Sequence, residues 1–209
     1  MKDIAIIGAG GFGRETAWMI SQLPEWNLVG FFDDDNNAGL HSKEGRILGN
    51  VSDVNDLPTT TSLAIAISNS TVRQKIALSL HERFDLPCLI HPSANEGHAD
   101  NYFGKGVIVT AGVIFTTNIH VGDFSIINLL STIGHDSLLS MFTSIMPQCS
   151  ISGNVKLGSR CFIGAGARIL QGVSLGDDCI VGAGAVVTKS FSASSRLMGV
   201  PARQDDQTI

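Results

Sequence analysis

From residue 103 to residue 187 an apolar side chain recurs at every sixth position without a slip. The series is Phe103, Val109, Phe115, Val121, Ile127, Ile133, Leu139, Ile145, Ile151, Leu157, Ile163, Ile169, Leu175, Val181 and Val187. Glycine follows directly at 104, 122, 134, 158, 164, 176 and 182, and small residues such as Ser125, Ser131, Ser137, Thr143 and Ala167 stand two positions before the apolar one. A period of six is neither that of a helix nor that of an alternating strand. It is the hexapeptide signature of a parallel β-helix, in which three hexapeptides close one triangular coil. Residues eighteen apart then stack at the strand spacing of roughly 4.8 Å. A single coil cannot bury its own apolar edge, so the coils are stable only as a stack. The series is long enough for about four and a half of them.

The chain has 209 residues, room for one large domain or two small ones. Its 16% charged and 44% apolar residues mark a folded, core-rich protein. A net charge of −5 argues against nucleic acid as a partner. The charge is uneven: residues 1–150 hold 8 basic and 15 acidic side chains, residues 151–209 hold 6 and 4, so the second part better tolerates an anionic cofactor. The apolar start is broken by Asp3 and Arg14-Glu15, unlike a signal peptide, and no run reaches the length of a membrane span. A soluble, cytoplasmic protein is expected. Cys149, Cys161 and Cys179 fall on the small inward positions of the repeat. With Cys88 they read as small core residues in a reducing compartment rather than as a metal site or disulfide.

Residues 1–90 alternate strand and helix. Strands are expected at 4–7, 27–32, 62–67 and 86–90. Helices are expected at 14–23, with Ala17, Ile20 and Trp18 on the buried face, and at 72–84. Residues 33–37 read as an acidic turn and 48–57 as irregular. This predicts a small parallel sheet with crossover helices, a Rossmann-like half-domain. Residues 91–102 read as a linker, 103–190 as the β-helix, and 191–209 as a C-terminal tail that frays from about 205.

Two clusters carry chemistry. Gly8-x-Gly10-x-x-Gly13 ends a strand and opens a helix, which sets backbone N–H groups and a helix N-terminus against a phosphate. Asp33 or Asp34, at the end of the next strand, stands where a ribose hydroxyl is often held. Three readings stay open: a nicotinamide site, a nucleotide or nucleotide-sugar site, and a glycine turn needed only for packing. The short half-domain favours the second. The other cluster is His135-Asp136, at a position where the repeat has no structural need for histidine. A neutral imidazole accepts a proton near pH 7, and an adjacent carboxylate strengthens it as a base. Gly153 lies one coil above, eighteen residues on, where its N–H is a candidate oxyanion donor. No serine or cysteine sits in a base-paired nucleophile pattern, which points to direct transfer. His91 and His120 read as structural or loop residues.

Gly8-Ala-Gly-Gly-Phe-Gly-Arg-Glu15, Phe31-Phe32-Asp33-Asp34, Ile65-Ala-Ile-Ser-Asn69 with Arg73, Ile90-His-Pro-Ser93, Ile126-Ile-Asn128, Ile133-Gly-His-Asp136, Ser152-Gly-Asn154 and Gly199-Val-Pro-Ala202 occur in this order. Together they resemble the sialic acid O-acetyltransferase (NeuD-type) family of hexapeptide-repeat acyltransferases. That family includes bacterial nucleotide-sugar N-acetyltransferases. The resemblance covers nearly the whole chain. It implies a left-handed β-helix, a homotrimer with sites between subunits, acetyl-CoA as donor and an amino or hydroxyl group of a sugar or nucleotide-sugar as acceptor, with no metal. It further implies His135 as general base with Asp136 as its partner and Asn128 close by. Ser144, Gly153, Ala165 and Ala183 would lie along the acetyl-CoA site. Gly10, Gly11, Phe12, Asp33, Asp34, Ser68 and Asn69 would hold the sugar nucleotide. Phe12 and Ser144 depart from the family's amino-sugar enzymes, which carry histidine at both places; the Gly-Phe-Gly-Arg-Glu loop is common among family members of undefined acceptor. The competing expectation is a non-catalytic nucleotide-sugar-binding trimer that scaffolds or regulates a polysaccharide pathway.

Overall fold

The computed structural model describes residues 1–35, 45–80 and 83–205. All of the six-residue apolar series belongs to one elongated core, with Phe103 at its partly buried end. The period arises from geometry: each hexapeptide gives two strand residues and one turn, and the second strand residue points inward. Three parallel sheets result. Face 1 stacks 89–90, 108–109, 126–127, 144–145, 162–163, 180–181 and 196–198, and face 2 runs from 114–115 to 186–187 in steps of eighteen. Face 3 runs likewise from 102–103 to 174–175. Every register pair within the repeat is offset by eighteen, as in Ile133 with Ile151 and Leu139 with Leu157. The fold is a left-handed parallel β-helix carrying an α/β half-domain.

The small positions before each apolar residue are buried as well. Cys149, Cys161 and Cys179 lie inside the coil, and their thiols donate to the carbonyls of Gly164, Gly176 and Ser192. Burial raises the Cys149 thiol to about 11 and the Cys161 thiol to about 12, so both stay protonated as core groups.

The half-domain consists of β1 (Lys2–Ile7), α1 (Gly11–Ile20), β2 (Trp26–Phe32), β3 (Ile47–Gly49), a 3-10 turn (Val51–Asp56), β4 (Ser62–Ile65) and α2 (Ser70–Leu80). Its parallel sheet has the order β3-β2-β1-β4. The glycine motif is explained by contacts. Gly8 has φ +101, and a side chain there would collide with the Ala66 carbonyl. A side chain at Gly13 would strike the Gly8 carbonyl, so glycine permits the close approach of α1 to β1.

The structure corrects several boundaries. Helix α1 begins inside the glycine motif, and Trp18 lies on its open side, 45% exposed, with its ring on His91 at 5.1 Å. Residues 47–56 are ordered as a strand and a 3-10 turn because Asp53 and Asn50 cap one another. Leu89–Ile90 joins face 1 of the β-helix, not the half-domain sheet. Residues 91–102 are therefore the first coil rather than a bare linker, with Asn95 bridging to Ile114 and Tyr102 pairing with His120. At the other end Phe191 bridges to Leu175, and Arg196–Met198 adds a strand to face 1, so the expected tail continues the coil. Asn36 and Asn37 of the acidic turn, positions 81–82 of the second helix and residues 206–209 of the tail lie outside the described residues.

The half-domain packs on face 1. Ile108 and Ile126 join the core under α1, and Phe124 and Phe142 join the core under α2. Arg73, on the buried side of α2, crosses this seam with 1% of its surface exposed.

Candidate active site

His135 and Asp136 occupy the turn from face 2 to face 3, the second corner of the coil. Neighbours in an extended strand would face opposite ways. Asp136 instead has φ +61, and this left-handed turn swings its carboxylate beside the ring of His135. Asp136 Oδ2 lies 2.7 Å from His135 Nδ1, and Asp136 Oδ1 accepts a hydrogen bond from Asn118 Nδ2 at 2.7 Å. The His135 and Asn118 hydrogen bonds hold the Asp136 carboxyl below the usual carboxylate range. An ionised carboxylate on Nδ1 fixes the proton there and leaves Nε2 as the basic atom.

Gly153 stands one coil above. A side chain at that position would run into Nε2 of His135. Nothing among the described residues accepts a hydrogen bond from the Gly153 N–H, whereas the next amide, Asn154 N–H, donates to the His135 carbonyl at 2.6 Å. An amide without a protein acceptor and an imidazole nitrogen thus belong to adjacent residues of the same column. Both His135 and Asp136 are half-exposed, so the pair is open to an incoming ligand.

The second cluster is a cleft of about 390 Å³ at the end of the half-domain sheet. Gly8, Gly10, Gly11, Phe12, Asp33, Asp34 and Ser68 line it, together with Val51, Val72 and Ile76, which sequence reasoning missed. Side chains at Gly10 and Gly11 would meet nothing, so the glycines keep the cleft floor clear. The first-turn N–H groups of α1 have no helical acceptor and are available to an anion. Asp33 lines the cleft, but its oxygens accept from Ala9 N–H at 2.7 Å and Asp35 N–H at 2.9 Å. Its main task is to tie β2 to the glycine loop. Asp34 uses one oxygen on Val51 N–H at 2.9 Å and is exposed. Asn69 caps α2 through Val72 N–H at 3.0 Å.

Not every expected residue gathers at His135. Asn128, Ala165 and Ala183 lie on the first corner, from face 1 to face 2, in the same chain. Asn128 is buried, and its side-chain Oδ1 accepts from Leu129 N–H at 2.8 Å and Thr110 Oγ1 at 3.3 Å. Ala165 and Ala183 are exposed, with the side-chain-free turns of Gly166 and Gly184 beside them. Within one chain Asn128 and His135 are therefore on different corners, and the expected site is one between subunits. Nor is Ser144 on an open cofactor path. It is fully buried in the seam, where its hydroxyl accepts from Arg73 Nη2 at 2.8 Å and donates to the Ser68 carbonyl at 3.2 Å. Serine is small enough to fit this seam and to take a guanidinium hydrogen bond.

The chain is similar to known proteins over both its parts. Residues 3–80 match the model of the PglD N-terminal domain, and residues 154–189 match that of the hexapeptide repeat of succinyl-transferase. GDP-perosamine N-acetyltransferase of Escherichia coli O157:H7 is 30% identical over 179 residues, spanning 83% of this chain and 80% of that protein. The chain belongs to this family, the bacterial nucleotide-sugar N-acetyltransferases. Among solved structures, the acetyltransferase domain of PglB from Neisseria gonorrhoeae FA1090 in complex with acetyl coenzyme A is similar. It is 30% identical with a TM-score of 0.91, covering 97% of this chain and 98% of that one. A mutant of perosamine N-acetyltransferase from Caulobacter crescentus, in complex with CoA and GDP-perosamine, is 29% identical. Its TM-score is 0.90, with 99% and 98% covered.

Membership in the N-acetyltransferase family makes the chain an acyltransferase. Among the described residues no helix is long and apolar enough to cross a membrane.

Proposed function

We propose that this chain transfers the acetyl group of acetyl-CoA to the amine of a sugar carried on a nucleoside diphosphate. The observation that carries the reading is the second corner: His135 Nδ1 held by Asp136 at 2.7 Å, Nε2 free, and the unpartnered Gly153 N–H beside it. The donor is supported by the acetyl coenzyme A and CoA complexes of the similar structures. The acceptor class is supported by the GDP-perosamine complex and by the half-domain cleft, whose helix N-terminus suits a diphosphate.

The reaction needs no acyl-enzyme. The amine nitrogen attacks the thioester carbon while His135 Nε2 takes its proton, and the developing oxyanion is met by the Gly153 N–H. The C–N bond forms and the C–S bond breaks. The imidazolium then returns its proton to the departing CoA thiolate. Asp136 stabilises the cation between these two steps.

The same reading includes a trimer. Within one chain the cleft packs on face 1 and the base stands on the opposite corner, between faces 2 and 3. Helix α1 lies toward the first corner, as its Trp18 ring on His91 marks, and Asn128, Ala165 and Ala183 line that same corner. A threefold arrangement that sets the first corner of one chain against the second corner of the next joins the two groups. It brings cleft, Asn128, Ala165 and Ala183 to His135 and Gly153. The donor places the reaction in the cytoplasm.

Thiol release from acetyl-CoA, measured with GDP- and UDP-linked amino sugars, tests the proposal. His135→Ala is expected to lose at least about a hundredfold in kcat, the contribution typical of a general base. Near-normal turnover in that variant, or nucleotide-sugar binding with no thiol release by the native protein, contradicts it.

A further inference from the structure

We propose that Asn118 is a positioning residue for the base, acting through Asp136 from one coil below. The inference rests on the reading of His135 as base. The second corner carries a continuous polar ladder at the coil spacing. Asp100 Oδ1 accepts the Asn118 backbone N–H at 2.9 Å, and Thr117 Oγ lies 3.1 Å from Asp100 Oδ2. Asn118 Nδ2 then donates to Asp136 Oδ1 at 2.7 Å, and Asp136 Oδ2 holds His135 Nδ1 at 2.7 Å. The Asp136 amide is itself anchored, donating to the Thr117 carbonyl at 3.1 Å.

The terminal torsion of an aspartate is soft, so a carboxylate gripped at one oxygen alone swings readily. Gripping both oxygens fixes its plane. Asn118 supplies the second grip and thereby sets the direction in which His135 Nε2 points, toward Gly153. The residue type matters. An aspartate at 118 would place a third carboxylate between Asp100 and Asp136, and it would have no proton to donate. The charged and titratable groups at this corner are His98, Asp100, Asp136 and His135, with His98 Nδ1 3.0 Å from Asp100. The coil above presents neutral Gly153 and Asn154, and the outer side of face 3 carries Tyr102, His120 and Lys156.

Two variants separate positioning from simple support. Asn118 has φ +54, and the same place in the column two of its repeats beyond Asp136 is filled by Gly172 at φ +75. Asn118→Gly therefore removes the amide without straining the turn. Asn118→Asp keeps the shape and reverses the electrostatics. The readout is the imidazole of His135 followed by NMR titration, its signal identified by its absence in His135→Asn; this requires no turnover. Asn118→Gly frees one carboxylate oxygen of Asp136 and lets its plane turn, so the titration midpoint is expected to move away from the native one. Asn118→Asp adds a negative charge and is expected to raise it. In turnover, both variants should lose about three- to tenfold in kcat with the KM for acetyl-CoA little changed. Midpoints that coincide with the native one in both folded variants overturn the proposal. If Asn118→Gly fails to fold, the turnover of Asn118→Asp decides: a kcat within about twofold of native overturns the proposal. Absence of acetyl transfer by the native protein would instead refute the function and leave the titration result standing.

Discussion

The conformation of one residue decides the chemistry of the second corner. Asp136 adopts φ +61, as Asn118 at +54 and Asn154 at +55 do in the same column. Asparagine and aspartate tolerate this region better than other side chains. Their recurrence at steps of eighteen was visible in the sequence. The direction of the Asp136 carboxylate was not, because the hexapeptide period alone does not say which residues leave the extended conformation. Gly153 tests the corner at the same scale. Its backbone is not left-handed, so Gly153→Ala should fold normally, while its methyl group displaces the His135 ring. The expected result is a fall in kcat of about tenfold or more with unchanged thermal stability, since a shift of about an ångström misplaces the base. The pH dependence follows from the sign of the carboxyl shifts. Asp100 and Asp136 are both held below the ordinary carboxylate range, Asp100 first by the Asn118 amide and Asp136 first by His135. What they contribute is present above the unfolded value and is lost only as pH falls through the lowered folded one. The acidic limb of kcat is therefore expected to follow a single ionisation of imidazole character. A second ionisation in the carboxylate range would contradict this.

At the scale of elements, the seam between α2 and face 1 depends on Arg73. Its guanidinium donates to the carbonyls of Phe124, Ile67, Ser68 and Phe142 at 2.8, 2.6, 3.1 and 2.8 Å, and to Ser144 Oγ at 2.8 Å. No carboxylate faces it in these contacts, and burial lowers its pKa to about 9, which still leaves a cation at neutral pH. The planar fork satisfies acceptors on both elements at once, which a lysine ammonium with three donors cannot reproduce. Arg73→Met would strand several buried acceptors, and chemical denaturation should show a loss of at least about 3 kcal/mol, at roughly 1–3 kcal/mol for each unsatisfied group. A loss below about 1 kcal/mol would mean that the seam relaxes around water. The sequence predicted a helix over 72–84, which the structure starts two residues earlier at Ser70, but gave no sign that Arg73, four residues before Ala77, shares the buried face with Ala77 and Leu80. A charged residue on an apolar stripe reads as solvated unless its acceptors are known, and three of the five, on Phe124, Phe142 and Ser144, lie more than fifty positions away.

For the whole molecule, the β-helix was legible because its period is strict and its inward side chains are uniformly apolar. Its ends were not. Leu89–Ile90 and Arg196–Met198 complete face 1 without the hexapeptide pattern, since end coils have a neighbour on one side only and tolerate irregular spacing. The proposed site residues could be named one by one from the sequence, but the proposed assembly could not. Eighteen-residue steps locate side chains along a column and say nothing about which corners of different chains meet. Sedimentation velocity should give a trimer of about 66 kDa, three times the 22.1 kDa chain.

The proposed trimer divides the site between chains, and such a site is restored by mixing. Gly10→Trp fills the nucleotide cleft without touching the β-helix, because a side chain there meets open space, and His135→Ala removes the base. Each variant alone should be inactive. Mixed trimers prepared by joint refolding at equal amounts should recover about a quarter of native thiol release, because one site in four then pairs an intact cleft with an intact base on the neighbouring chain. Mixed trimers that form but release no thiol above the separate variants would place cleft and base in the same chain and contradict the account.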